Sequence, residues 1–354
     1  VINGTDLRNA IISGTNNILK HRKTVDELNI FPVPDGDTGT NMSMTMSSAA
    51  RELETKTDGT AGEIAHTAAG ALLRGARGNS GVILSLLFRG FAKGMEGKES
   101  AGGADLVDAL ALGVEAAYKA VMKPTEGTIL TVSRVACERG KAASETDDDP
   151  VYVWTAICRG AQEALEQTPD LLPVLKRAGV VDAGGKGLCF ILEGMLSVFR
   201  DGTVVPSVNE AAADADGDDF FRNAAAEFDQ EIHFTYCTEF IVGRDPECPK
   251  DPQDLRTFLE SMGDCVLVVD DEEIIKVHVH TEDPGNALEA GLAFGQLLTV
   301  KIENMKEQHR KAAEENAAAK AAHPSLTPVE PVDEIGFVAV AAGEGMKTLF
   351  TDLG

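Results

Sequence analysis

Asp35 and Asp37, separated by a single glycine, are the residues of this 354-residue chain whose type and spacing most directly suggest chemistry. Two carboxylates that close can converge on one cation. Hard oxygen ligands of this kind suit Mg²⁺, which is commonly held by one or two carboxylates together with substrate phosphates. The pair sits in the loop Asn29–Met42, where Gly36 and Gly39 let a backbone approach a phosphate and Thr38, Thr40 and Asn41 add neutral hydrogen-bonding groups. A helix is predicted to start directly afterwards, so its N-terminal amides and dipole would face an anion. Pro-Asp-Gly alone is a common turn. The whole string, with further glycine loops downstream, is what argues for a site.

Three such loops follow. Gly75–Gly81 contains Asn79 and Ser80 and leads into a predicted helix. It lacks the Gly-Lys-Ser/Thr ending of a Walker A loop, and no strand precedes it as a dinucleotide fingerprint requires. Alone it reads as a helix connection with a serine cap. Arg74 and Arg77 flank its start and read as surface charges rather than phosphate partners. Pro124–Ile129 and Gly179–Gly187 are the remaining loops. Several glycine loops between helices, gathered at one end of a domain, would make a nucleotide pocket without a sheet.

A second constellation lies downstream. In Lys276–Thr281, His278 and His280 share one face of a predicted strand, because strand side chains alternate. Cys237 lies on the first predicted strand of the same region. In a β-α-β-β-α-β sheet the first and third strands are central neighbours, so Cys237 could meet both imidazoles. A thiolate with two imidazoles suits Zn²⁺. Glu239 points to the same face as Cys237, but water or a linker residue serves equally as a fourth ligand, and His233 matches that face by parity alone.

These residues need elements to hold them. Over residues 1–200 apolar positions recur at helical spacing, for example Met42, Met46, Ala49 and Leu53, then Val82, Leu86 and Phe91, then Leu106, Leu110 and Val114. Thr155–Leu165 and Gly187–Phe199 read as further helices, giving an all-α domain. Residues 201–230 form an acidic linker whose core, Ala211–Asp219, is nearly free of hydrophobes. It mimics a calcium loop, yet the register set by Asp214, Asp216 and Gly217 puts Ala212 and Asn223 where acidic ligands belong.

Residues 231–304 change rhythm. A strand is expected at Ile232–Gly243, a helix at Pro252–Met262, a hairpin of Cys265–Asp270 with Glu273–Thr281, a helix at Pro284–Phe294 and a strand at Leu297–Asn304. That order is the split pattern of an α+β ferredoxin-like sandwich. Residues 305–334 read as a helix and an extended linker. Residues 335–354 read as the opening of a third, α/β domain that the sequence cuts short, and the start at Val1 rather than Met reads as processed or cut.

Composition sets outer limits. The net charge of −25 argues against nucleic acid or anionic membrane surfaces as partners. Six cysteines without a CxxC pair, in a chain of this size, do not suggest a disulfide framework and fit a reducing cytoplasm. Apolar runs such as Val82–Phe88 are too short for stable membrane insertion. Scarce aromatics and abundant Ala and Gly favour closely packed helices.

Residues 1–200 resemble the nucleotide-binding domain of dihydroxyacetone kinases of the L-subunit (DhaL) type. Phe31–Met42 and Gly75–Gly81 are closer still to the A subunit of bacterial fatty acid kinase. The resemblance implies an eight-helix barrel whose loops hold two Mg²⁺ ions and ATP. Asp35 and Asp37 would bridge metals and phosphates, Asn79, Ser80 and Gly81 would touch phosphates, and Thr128, Ile129 and Asp182 would lie near sugar and base. It further implies that Cys237, His278 and His280 hold zinc, and that the substrate is a fatty acid brought by a separate fatty-acid-binding carrier protein. The sequence is compatible with a homodimer. One departure stands out. The kinase domain has a third metal-binding Asp five residues before the first of the pair, where this chain has Ile30 with Asn29 beside it. Asn29 substitutes only through a one-residue shift. The rival readings are a small-ketose kinase of the dihydroxyacetone type and a nucleotide-binding scaffold without turnover.

Overall fold

The computed structural model describes residues 1–207, 232–311 and 314; the acidic stretch 211–219 and the expected third-domain opening at 335–354 lie outside them. The first part is helical: α1 (Gly4–Lys20), α2 (Arg22–Glu27), α3 (Thr38–Thr55), α4 (Ala61–Gly75), α5 (Gly78–Gly94), α6 (Gly103–Ala120), α7 (Ile129–Ser144), α8 (Pro150–Leu171), α9 (Pro173–Ala178) and α10 (Ala183–Asp201). Two-residue strands β1 (Ile2–Asn3) and β2 (Ser100–Ala101) pair antiparallel beside them.

Local chemistry starts these helices. Asn3 with Asp6 and Thr60 with Glu63 form capping boxes at α1 and α4, while Thr128, Asp149 and Asp182 cap α7, α8 and α10 with their own side chains. The helical-period residues read from the sequence lie inside: Met42, Met46, Ala49 and Leu53 are fully buried on α3. Small residues let helices approach closely. A methyl on Gly90 of α5 would sit 2.4 Å from the Gly113 Cα of α6. Trp154 of α8 anchors α10 by donating its indole N–H to the Leu192 carbonyl at 3.1 Å, with Phe199 edge-on to the ring.

The second part is a sheet with two helices: β3 (Tyr236–Arg244), α11 (Pro252–Met262), β4 (Gly263–Asp270), β5 (Ile274–Thr281), α12 (Pro284–Leu292) and β6 (Gly295–Asn304). The strands order β4-β5-β3-β6 and every neighbouring pair is antiparallel. The first strand begins at Tyr236, four residues later than the sequence pattern suggests, and the last begins at Gly295, two residues earlier.

Alternation gives the sheet two different faces. Phe240, Val242, Ile275, Val277 and Val279 build one core with Leu255 and Leu259 of α11. The opposite face carries Leu267 and Val269 of β4 into the hydrophobic core of the helical domain. Both parts belong to one compact unit. The face bearing Cys237, His278 and His280 is thereby turned toward the helices. Among the described residues no helix is long and apolar enough to cross a membrane.

Candidate functional site

α3 is capped in an unusual way that leaves its N-cap carboxylate available. Asp37 occupies the cap position but makes no side-chain cap bond. Asp26 of α2 takes over, accepting from the Thr40 amide and the Thr40 hydroxyl, both at 2.8 Å. Asp35 and Asp37 face a small cavity with Asn29, Thr38 and Asn41 from the same segment and Gly78, Asn79 and Ser80 from the start of α5. Both carboxylates are half-buried at its wall. Burial and the neighbouring Asp37 push Asp35 well above the usual carboxylate range, and burial also raises Asp37. Two carboxylates held this way form a strong demand for a cation, which would reverse both shifts.

Asn29 enters this group, whereas Ile30 is buried in the helical core. The Asn29 amide donates to an Asp35 oxygen, and its own oxygen accepts from the Thr38 hydroxyl at 2.8 Å. In this orientation Asn29 holds Asp35 through its amide nitrogen, while its oxygen is engaged by Thr38. Thr40 and Gly81 stand apart from the cavity. The Thr40 hydroxyl is taken by Asp26, and Gly81 is pressed against Thr45, whose hydroxyl a methyl at this position would meet at 2.4 Å. Gly39 likewise has a packing reason, since a methyl there would strike the Arg22 carbonyl of α2. Arg74 pairs with Glu52 on the surface.

The sheet domain supplies the other wall. Cys237, Glu239, His278, His280 and Glu303 line the same cavity as Asp35 and Asp37. Register explains it: on β3 and β5, Cys237 lies opposite His280 and Glu239 opposite His278. The two histidine Nε2 atoms are 3.2 Å apart, and the Cys237 Sγ is 3.9 Å from His278 Nδ1. Cys237, His278 and His280 each offer a ligand atom within 4.8 Å of the others. Two imidazole nitrogens on one tetrahedral zinc stand about 3.3 Å apart, given Zn–N bonds of about 2.0–2.1 Å, so the pair fits that ion. His233 is exposed and takes no part.

Beside this cavity lies a larger, mainly apolar one of about 350 Å³. Ser80, Ile83, Met122, Thr128, Ile129 and Asp182 line it from the helices, and Cys265, Val266 and Leu267 close it from β4. β4 bulges between Asp264 and Leu267 in its pairing with β5, and Cys265 adopts a left-handed φ of 51°. A bulge re-aims side chains in this way. Asn79 and Ser80 border both cavities.

Comparison with known proteins follows the same division. Residues 32–197 match the DAK2 domain family, and residues 233–312 match the middle-domain family of proteins like the fatty acid kinase A subunit. The chain carries the two-domain signature of a fatty acid kinase A subunit. It is 42% identical over 359 residues to an uncharacterized protein of Staphylococcus saprophyticus, and 42% identical over 362 residues to protein YloV of Bacillus subtilis. Each match takes in all of this chain and 64% of the relative, so the chain spans just under two thirds of these relatives. Among solved structures, the crystal structure of the dihydroxyacetone kinase of C. freundii is similar at a TM-score of 0.40 and 18% identity, covering 56% of this chain and 35% of that one.

Two features that shape the site carry no signal in the sequence. Asp26 belongs to no motif, being one acidic residue on a six-residue helix. Its position in the chain 14 residues before Thr40 gives no sign that it caps α3. The β4 wall of the apolar cavity is hidden because only the docked middle domain creates it. Glu303, by contrast, pairs with Cys237 across β3 and β6, and strand parity could have found it.

Asp182 offers a test of burial in this cavity. It caps α10 by accepting from the Gly185 amide at 2.7 Å, and burial raises its pKa to about 7. Between the ordinary aspartate value and 7 the folded chain holds a proton that the unfolded chain has released, so stability falls as pH rises through that window. Asn caps as well as Asp and does not ionise. Asp182→Asn is expected to flatten the slope between pH 4.5 and 7 by on the order of 1 kcal/mol per pH unit, measured by urea unfolding without nucleotide. An unchanged slope would mean that Asp182 ionises freely.

Proposed function

We propose that this chain is the ATP-dependent catalytic subunit of a kinase that phosphorylates a fatty acid carboxylate presented by a separate carrier protein. One observation carries the reading. A pair of half-buried carboxylates, Asp35 and Asp37, faces the start of α5 beside an apolar cavity large enough for a nucleotide base. Asp35 and Asp37 would hold two Mg²⁺ ions, whose charge neutralises the β- and γ-phosphates. Asn41, Asn79 and Ser80 would orient the phosphates, and Thr128, Ile129 and Asp182 would border sugar and base. In the transfer, an acyl carboxylate oxygen bonds to the γ-phosphorus. The bond to the β–γ bridging oxygen breaks, and its electron pair leaves with ADP. The product is an acyl phosphate. A carboxylate nucleophile needs no base, and positioning with electrostatics suffices for such transfers.

The match of residues 233–312 to the fatty acid kinase middle domain supports this acceptor over a small ketose. We read the middle domain as a ferredoxin-like sandwich, in keeping with its strand order. ATP turnover with a fatty-acid-loaded carrier, compared with dihydroxyacetone, decides between the acceptors. Phosphorylation of dihydroxyacetone alone overturns the assignment.

Cys237, His278 and His280 would hold zinc, in keeping with their converging donor atoms. Elemental analysis of the purified protein is expected to find about one zinc per chain, falling to background in His278→Ala, since a structural or catalytic zinc takes at least three protein ligands. Zinc retained in full by that variant rejects the ligand set.

A further inference from the structure

The two histidines present the same ring atom to each other, and each has a carboxylate behind it. His278 Nε2 faces His280 Nε2 at 3.2 Å. Behind His278, Nδ1 lies 3.5 Å from Glu239 Oε1; behind His280, Nδ1 lies 3.4 Å from Asp264 Oδ1. A histidine whose Nδ1–H is taken by a carboxylate offers its Nε2 lone pair, and such outer partners orient a metal-binding ring and raise its basicity. With Nδ1 protonated on both rings, the two Nε2 lone pairs converge on one point, an arrangement that a cation between them satisfies.

Glu239 does more than hold one ring. Its Oε1 also accepts from the Gly78 amide at 2.6 Å, and its Oε2 meets Lys276 Nζ at 3.2 Å. Gly78 is the first residue of α5, and the N-cap of that helix, Arg77, contributes no side-chain cap bond. A carboxylate from the middle domain therefore caps the helix whose start carries Asn79 and Ser80. The side chain of Glu239 is only 3% exposed, so its position is fixed by these partners. Asp264 lies at the bulge of β4, adjoining the apolar cavity that it also lines.

We propose that Glu239 and Asp264 are positioning residues that hold His278 and His280 with Nε2 toward a shared metal, and that Glu239 ties this arrangement to the phosphate-facing start of α5. The inference rests on the zinc reading of the cluster and deepens it, by fixing which ring atoms bind and what aims them. Cys237, whose Sγ lies 3.9 Å from His278 Nδ1, is the third donor of the cluster, and neither carboxylate needs to touch the ion.

The test uses the intact chain titrated with zinc chloride against a competing chelator, with ¹⁵N-labelled histidine followed by NMR. Zinc-loaded protein is expected to show both rings coordinated through Nε2 with Nδ1 protonated. Glu239→Gln keeps an oxygen for the Gly78 amide but loses the charge that holds the His278 Nδ1–H. It is expected to weaken zinc roughly 10–100-fold, in the range seen for outer-shell substitutions, and to lower the melting temperature as well, because the buried Lys276 ammonium loses its carboxylate partner. Asp264→Asn is expected to weaken zinc likewise through His280, and its more exposed site keeps the test open should Glu239→Gln not fold. Coordination of His278 through Nδ1, or zinc affinity within twofold of the parent in a folded variant, overturns the proposal while leaving the zinc site standing. A parent protein that binds no zinc overturns both.

Discussion

Asp37→Asn is expected to lower ATP turnover by on the order of 10²–10³-fold or more, the range for removing one principal electrostatic group from a transfer site, while leaving the metal-free fold at least as stable as the parent. The two halves of this result come from one cause. Asp35 and Asp37 share one cavity, and both carboxyls are shifted upward, chiefly by burial. For an acid with a raised folded-state pKa, stability is lost as pH rises through that value, because the unfolded chain has already released its proton. At pH 8 without magnesium, the substitution removes one of these charges and is expected to gain on the order of 1 kcal/mol. Magnesium reverses the ranking, since an ion that binds only the folded state raises its stability by mass action. Thermal melts with and without magnesium, alongside turnover with a loaded carrier, check both halves. A magnesium-induced rise in melting temperature equal to the parent's would remove Asp37 from the metal site, unchanged turnover would remove it from the transfer, and unchanged cellular function in a variant without turnover would favour the scaffold reading.

The site is legible in the sequence to the extent that local pattern determines geometry. The string Asn29–Met42 forms a loop opening a helix because its glycines and Asp37 sit where a helix begins, and the period of Met42, Met46 and Leu53 fixes which side of that helix is buried. His278 and His280 share a face because strands alternate, and the strand order that the sequence implies puts Cys237 opposite His280. What cannot be read is long-range. Glu239 and Gly78 are 161 residues apart, and no periodicity links a strand carboxylate to the amide it will cap. The same holds for Asp26. Once it caps α3, the Asp37 carboxylate is released to the cavity, so a residue outside every motif sets the geometry of the motif. Thr40 and Gly81 read as ligand-facing because they belong to glycine loops, but loop membership does not fix direction. Thr40 turns to Asp26, and Gly81 is glycine because Thr45 leaves no room for a Cβ.

Leu267→Ala is expected to damage two properties that a DAK2 domain alone would keep separate. Leu267 is 2% exposed on β4, packs into the core of the helical domain and also closes the apolar cavity opposite Thr128 and Ile129. Truncating a buried leucine costs about 2–5 kcal/mol, depending on how far its surroundings collapse, so the melting temperature should fall by several degrees. If the cavity receives a nucleotide base, removing this wall also sacrifices apolar contact. At about 25 cal/mol per Å² the lost burial corresponds to a roughly tenfold weaker ATP affinity. Val268 supplies the control: the neighbouring residue on the same strand faces the other way and packs against the middle domain's own core. Val268→Ala should lower stability without changing ATP affinity, measured by calorimetry at a temperature where all forms are folded. Equal nucleotide affinity in the parent and both variants would place the base elsewhere. A loss confined to Leu267→Ala means that the nucleotide site is completed only when the middle domain docks, so the strand that carries Asp264 beside the histidine pair is also the strand that encloses the base.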